Sequence, residues 1–180
     1  MVTVLDKKAH FDLLTGILNK RSYEEYVENV MKNAGKSEKY ALILIDVDNF
    51  KGVNDTLGHE YGDKVLANIG DILRSIFRKE DFKGRIGGDE FSVFLNLSSV
   101  SDDEYIGFTK KKCEQLCNAF HNNYTGDDGN YKISASIGVA FYNINGNTFS
   151  ELYKYADKAL YNSKHKGKDT YTIYTEELES

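Results

Sequence analysis

The sequence predicts an α/β fold, an α+β sandwich on a ferredoxin-like β-α-β-β-α-β core. Three observations carry this expectation. The continuous apolar run "YALILID", beginning at Tyr40, has the pattern of a strand buried on both faces. Two β-like runs, "FKGRI" and "EFSVFLN", follow one another with no helix between them. The order of strand runs and helical stripes from Tyr40 to Asn143 then gives a central, mostly antiparallel sheet flanked by helices. With 180 residues and 41% apolar content, the chain is sized for one domain with its own core.

A helix precedes the core. Ser22 and Glu25 form a capping-box pattern ahead of the stripe Tyr23, Tyr26, Val27, Val30 and Met31. "YALILID" follows and delivers Asp46 at its C-terminal end. The segment "NDTLGHEYGD", Asn54 to Asp63, reads as a loop and helix entry. A helix after Gly62 carries Val65, Leu66, Ile69, Ile72, Leu73, Ile76 and Phe77 on one side. The two consecutive strands form a hairpin with Gly87-Gly88 at its tip, where adjacent glycines admit the positive φ of tight hairpins. Ser101 and Glu104 open a helix with Ile106, Cys113, Leu116, Cys117 and Phe120. The polar loop "NNYTGDDGN" leads to the strand "YKISASIGVAFYN". Thr148 and Glu151 open the last helix, with Phe149, Leu152, Ala156, Ala159 and Leu160, before a final strand, "TYTIYT". The domain is expected over residues 9–175, with 1–8 a stub or linker from an upstream region and 176–180 a tail. There is no proline, so glycine, Asn and Asp mark the boundaries.

The net charge of −5 argues against a nucleic-acid polymer as partner, since that needs a basic face to displace counterions. No apolar run reaches membrane-spanning length, and "MVTVLDKKAHFD" lacks the apolar core of a signal peptide. A cytoplasmic location without membrane contact from this segment is expected, although an upstream region could anchor a longer protein. Cys113 and Cys117 share a helical pattern, which suits reduced interior thiols better than a disulfide or metal knuckle.

Chemistry concentrates at strand ends. If the strand ending in Asp46 neighbours the hairpin carrying Asp89 and Glu90, three carboxylates converge on one sheet edge, at a cost that a divalent cation such as Mg²⁺ would relieve. Solvated turn acids are the alternative reading. Glycines at the tip would let a phosphorylated ligand approach the backbone. Asn54 and Asp63 together offer the donor and acceptor set of a purine edge, or else an ordinary helix entry. Lys164 and Lys168 close the last helix, where cations also complement the dipole. Two apparent motifs fail. "AGKS" has Val30 where a phosphate-binding loop needs glycine, and "DVDNFKG" has Phe50 and Lys51 where a calcium loop needs an oxygen ligand and glycine.

Taken together, the stretches "DLLTGILNKR", "DVDNFKGVNDTLGHEYGD", "RIGGDEF", "SIGVA" and "ADKALYNSKHKGKD" make the chain resemble a GGDEF domain, the catalytic module of diguanylate cyclases, from about Ala9 to Tyr174. The resemblance implies a fold similar to the palm of nucleotidyl cyclases. It also implies condensation of two GTP into cyclic di-GMP with release of two pyrophosphates. Matched by motif, Asp46, the Val47 carbonyl, Asp89 and Glu90 would hold Mg²⁺, with Mn²⁺ as a possible substitute. Asn54 and Asp63 would read guanine. Gly87 and Gly88 would line the phosphates, and Lys51, Lys164 and Lys168 would grip them. Asp89 or Glu90 would draw off the 3′-hydroxyl proton. Asp48 has no clear metal role in the family pattern.

One site holds one GTP and the product contains two, so the resemblance also implies a catalytic homodimer. "RKED" matches an RxxD inhibitory site, in which Arg78 and Asp81 would bind cyclic di-GMP as allosteric inhibitor; a surface ion pair is the plainer reading. The chain departs from the family in Asn19-Lys20-Arg21, where Asn-Arg is usual, and in Lys168, where Arg is common; Lys loses bidentate phosphate geometry. A non-catalytic module that binds GTP or cyclic di-GMP is the alternative, although such relatives typically lose signature acids that this chain keeps.

Overall fold

The computed structural model describes residues 9–35, 37–124 and 133–179. The expected stub at 1–8 and most of the polar loop after Tyr124 lie outside the described residues. In chain order the elements are β1 (Leu18–Asn19), α1 (Lys20–Asn33), β2 (Tyr40–Val47), α2 (Phe50–Leu57), α3 (His59–Ile76), β3 (Phe82–Arg85), β4 (Glu90–Asn96), α4 (Tyr105–Tyr124), β5 (Ala135–Phe141), α5 (Phe149–His165) and β6 (Thr170–Ile173). A 3₁₀ turn, Glu176–Glu179, follows.

Strand order is β1-β3-β4-β2-β5-β6. The inner strands β3-β4-β2-β5 are antiparallel throughout, which is the expected ferredoxin-like core. The additions extend it at both edges by parallel pairs, β1 on β3 and β6 on β5. β2 sits at the centre, and its alternate residues feed two cores. Ala41, Ile43, Ile45 and Val47 pack with Leu66, Ile69 and Leu73 of α3 and Leu116 of α4. Leu42 and Leu44 pack with Tyr23 and Val27 of α1 and Leu152 and Ala156 of α5. Burial on both faces explains the unbroken apolar run.

Two contacts set the helices packed on the second of these cores. A Cβ on Gly138 of β5 would fall 2.1 Å from the Ala156 carbonyl oxygen and 2.3 Å from the Leu160 nitrogen, so only glycine lets α5 lie this near the sheet. On α1, the fully buried Tyr23 hydroxyl donates to Ser92 Oγ at 2.7 Å, and Ser92 donates onward to the Ile43 carbonyl at 3.1 Å. That network satisfies each buried hydroxyl while pinning α1 to the two central strands.

Three local expectations change. α1 is capped by Asn19, whose side chain accepts from the Ser22 amide at 3.0 Å, so Ser22 is helical and not the cap. "NDTL", expected within a loop, closes the helix α2, and α3 begins at His59, ahead of Gly62. Ile106 faces outward at 41% exposure, while Cys113, Leu116 and Phe120 of the same stripe are buried. The capping box of α5 forms as expected between Thr148 and Glu151. Cys113 and Cys117 are free thiols, both pushed up in pKa chiefly by burial, Cys117 to about 11.

Candidate active site

The antiparallel register of β2 and β4 sets Asp46 directly opposite Glu90. The hairpin tip folds over that pair: the Val47 amide donates to the Asp89 carbonyl at 3.2 Å, and the amides of Ile86 and Gly87 donate to the Glu90 carbonyl at 2.9 and 3.2 Å. The tip departs from expectation in one respect. Neither Gly87 nor Gly88 has positive φ, because the turn spans several residues and needs no left-handed corner. Space is what the glycines supply. A Cβ on Gly87 would lie 2.5 Å from Glu90 Oε2, and beside Gly88 nothing lies within 4 Å.

Arg85 holds the tip from behind. Its Nε and Nη2 donate to the Gly88 carbonyl at 3.1 and 2.7 Å, and its Nη1 reaches both Asp12 oxygens at 3.3 Å. Burial alone would raise the Asp12 pKa, but hydrogen bonds from Thr15 and the Arg85 charge outweigh it and keep the group below its ordinary value. Residue-by-residue reading passed over both residues, although each stands inside a motif stretch; their pairing links segments far apart in sequence.

Asp46 is largely enclosed, its side chain 14% exposed, and pairs with Lys164 of α5 at 2.9 Å. Its pKa is nevertheless raised, because burial and the charges of Asp89 and Asp48 outweigh Lys164. Glu90 is raised too, by burial first and then by Asp46 and Asp89. Among the described residues no three acidic, His or Cys side chains are gathered ready-made around a metal position. The donor set still fits a hard divalent cation: enclosed carboxylates that repel one another, against a lysine that neutralises only part of their charge. A groove of about 340 Å³, lined by Lys20, Glu24, Ile86, Phe149 and Tyr153, reaches Glu90, whereas a larger one of about 490 Å³ lies away from these acids beside Phe11, Tyr26 and Phe82.

The other expected residues stand on α2, on α3 and in the turn after α5. At the corner between α2 and α3, a Cβ on Gly62 would fall 1.9 Å from Asn54 Oδ1, so glycine there lets the Asn54 amide sit against the backbone that carries Asp63. Lys51 and Asp63 are exposed and Asn54 is half-buried. Asp48 is 6% exposed, and its carboxylate accepts from Ser134 and Ser136 hydroxyls, each at 2.7 Å, and from the Asp169 amide at 3.0 Å. Those bonds make Asp48 a brace between β2, β5 and the turn after α5. Lys168, exposed, stands in that turn.

Arg78 and Asp81 lie elsewhere. Asp81 is 2% exposed and accepts from the Arg78 amide at 2.8 Å and the Asn96 amide at 3.0 Å. Asn96 ends the strand that Glu90 begins, so at about 3.3 Å per residue the two places are on the order of 20 Å apart. The Arg78 side chain is half-exposed and lies over Phe108.

The family model "Diguanylate cyclase, GGDEF domain" matches residues 9–170. The chain belongs to this family. It is 34% identical over 175 residues to the diguanylate cyclase DgcS of Shewanella oneidensis, covering 97% of this chain and 56% of that protein, so it spans about half the relative's length. Among solved structures, the GGDEF domain of PA1120 (TpbB or YfiN) from Pseudomonas aeruginosa superposes with a TM-score of 0.82 at 30% identity, covering 94% of this chain and 97% of that one. A microbial GGDEF domain described in a novel interaction mode with cyclic di-GMP gives 0.73 at 28% identity, covering 94% and 99%. In this GGDEF domain the signature residues occupy the β3-β4 tip, with Glu90 opposite Asp46 across the sheet.

Proposed function

We propose that this GGDEF domain is a diguanylate cyclase that condenses two GTP molecules into cyclic di-GMP, releasing two pyrophosphates, when two copies face each other. The observation that carries the reading is the pairing of Asp46 with Glu90 beneath an open Gly87-Gly88 tip, with Lys164 alongside. Asn54 and Asp63 hold the guanine edge, and Lys51, Lys164 and Lys168 hold the phosphates, aided by backbone exposed at the two glycines. Asp89 accepts the proton of the ribose 3′-hydroxyl, with Glu90 as the other candidate base. When bound, Mg²⁺ would be held by Asp46, the Val47 carbonyl, Asp89 and Glu90, and would offset the charge of the triphosphate. The 3′-oxygen forms a bond to the α-phosphorus of the facing nucleotide as the α–β bridge breaks and pyrophosphate leaves. Two such transfers close the ring.

Product feedback belongs to the same reading: Arg78, presented beside a braced Asp81, grips cyclic di-GMP at a distance from the acids that make it. Incubating the chain with GTP and Mg²⁺ and separating the nucleotides tests the proposal. Cyclic di-GMP that disappears with Asp89→Ala is expected. GTP bound but unconverted, even when dimerisation is enforced, would establish a binding module instead.

A further inference from the structure

The turn after α5 is built in an unusual way. Gly167, Lys168 and Asp169 have φ of 110°, 66° and 50°, so three consecutive residues are left-handed and two of them carry side chains. Each non-glycine residue held there costs on the order of 1 kcal/mol or more, and persists only where surrounding contacts over-determine it. Those contacts are present on three sides. The Lys168 amide donates to the Ser163 carbonyl at 3.1 Å. The Asp169 amide donates to buried Asp48 at 3.0 Å. The Asp169 carboxylate accepts from His121 Nε2, at 2.8 and 2.7 Å to its two oxygens. His121 stands in the last turn of α4, a helix that supplies none of the expected nucleotide ligands.

We infer that His121 and Asp169 are positioning residues: by clamping the left-handed turn between α4 and Asp48, they fix Lys168 as a phosphate-binding arm. The inference rests on the reading of Lys168 as a phosphate ligand. Without the clamp, the turn relaxes toward ordinary backbone angles and the lysine loses its fixed origin. A flexible point charge then pays more conformational entropy for each phosphate it meets. The second carboxylate partner also matters electrostatically. His121 engages the Asp169 carboxylate while Asp48 accepts from the Asp169 amide, so both acids at this turn have partners.

The test is binding of the α,β-methylene analogue of GTP, with guanosine as the phosphate-free control, to the full chain and its variants. His121→Ala should weaken the analogue roughly two- to fivefold, as expected for loss of a half-exposed hydrogen-bonded contact, and leave guanosine unchanged. Asp169→Ala should weaken it further, whereas Asp169→Gly, which tolerates the left-handed angle, should recover part of the loss. Lys168→Ala should cost about tenfold or more, and adding His121→Ala to it should cost nothing further. Full additivity of those two, or equal weakening of analogue and guanosine, overturns the clamp while leaving Lys168 as a ligand. If Lys168→Ala has no effect, the phosphate reading itself falls and the clamp with it. Unfolding midpoints of all variants identify any loss that comes from the fold alone.

Discussion

Asp81 has a structural duty whatever its part in the proposed product feedback. Its enclosed carboxylate satisfies the Arg78 and Asn96 amides, so Asp81→Ala would leave two donors without partners. We expect it to destabilise the chain by about 1–3 kcal/mol in denaturant titrations, while Arg78→Ala changes stability little and weakens inhibition by cyclic di-GMP. Glu90 makes an opposite case. A carboxyl group whose pKa is higher in the folded than in the unfolded chain binds more protons when folded. Stability therefore falls as pH rises through the window above the ordinary values, 3.8 for Asp46 and 4.5 for Glu90, and stays lower beyond it. In metal-free buffer, Glu90→Gln should raise the melting midpoint at neutral pH, and the gain should shrink toward about pH 4, where the unfolded carboxyl is itself protonated. Added Mg²⁺ should narrow the same gap at neutral pH; a gap insensitive to both pH and Mg²⁺ would remove the charge argument. The acids of this centre were legible because a strand ending in Asp46 and a hairpin opening on Glu90 must meet if the strands pair. The His121–Asp169 contact was not, because α4 and the turn after α5 lie far apart in sequence and only the folded chain brings them together.

At the scale of elements, α5 decides where Lys164 stands, and Gly138 decides where α5 lies. Gly138→Ala forces the new methyl against the Ala156 carbonyl and the Leu160 amide, which are backbone atoms that cannot rotate away. We expect about 1–3 kcal/mol of destabilisation and a weaker affinity for GTP, as the helix moves outward and takes Lys164 with it. Restored affinity in a fully stable Gly138→Ala protein would show that the helix position is not what sets the site. The strands and long helices were readable because their apolar periods are long and β2 is apolar on both faces. The short helix α2 was not: "FKGVNDTL" buries only Val53, so it shows no stripe, and its N-terminal Asn49 is left-handed without a side-chain cap bond. Similarly, Asn19 displaced Ser22 as the cap of α1 because both residues satisfy the cap chemistry, and only the position of β1 chooses between them. The glycine pair misled in a different way. Its sequence signals a tight turn, while the fold uses its missing side chains to open the space beside Glu90.

At the scale of the whole molecule, one chain carries one set of the proposed nucleotide ligands, and the proposed product requires two nucleotides joined head to tail. Each half of the reaction then takes its 3′-hydroxyl from one copy and its α-phosphate from the other. Below the dissociation constant of the pair, product formed per chain should rise in proportion to chain concentration, and should level off once pairs predominate. Fusing the chain to a parallel coiled coil should lift the dilute rate toward that plateau. A sharper consequence follows from mixing. With a large excess of Asp89→Ala chains, most wild-type chains sit opposite a partner that binds GTP but cannot activate its hydroxyl. One transfer can occur in such a pair and the second cannot. The expected product is the linear dinucleotide that still carries a 5′-triphosphate, accumulating while cyclic di-GMP falls, and chromatography separates the two. Cyclic product formed per wild-type chain that stays constant on dilution and in the mixture would place both transfers within one chain and overturn the facing-pair reading.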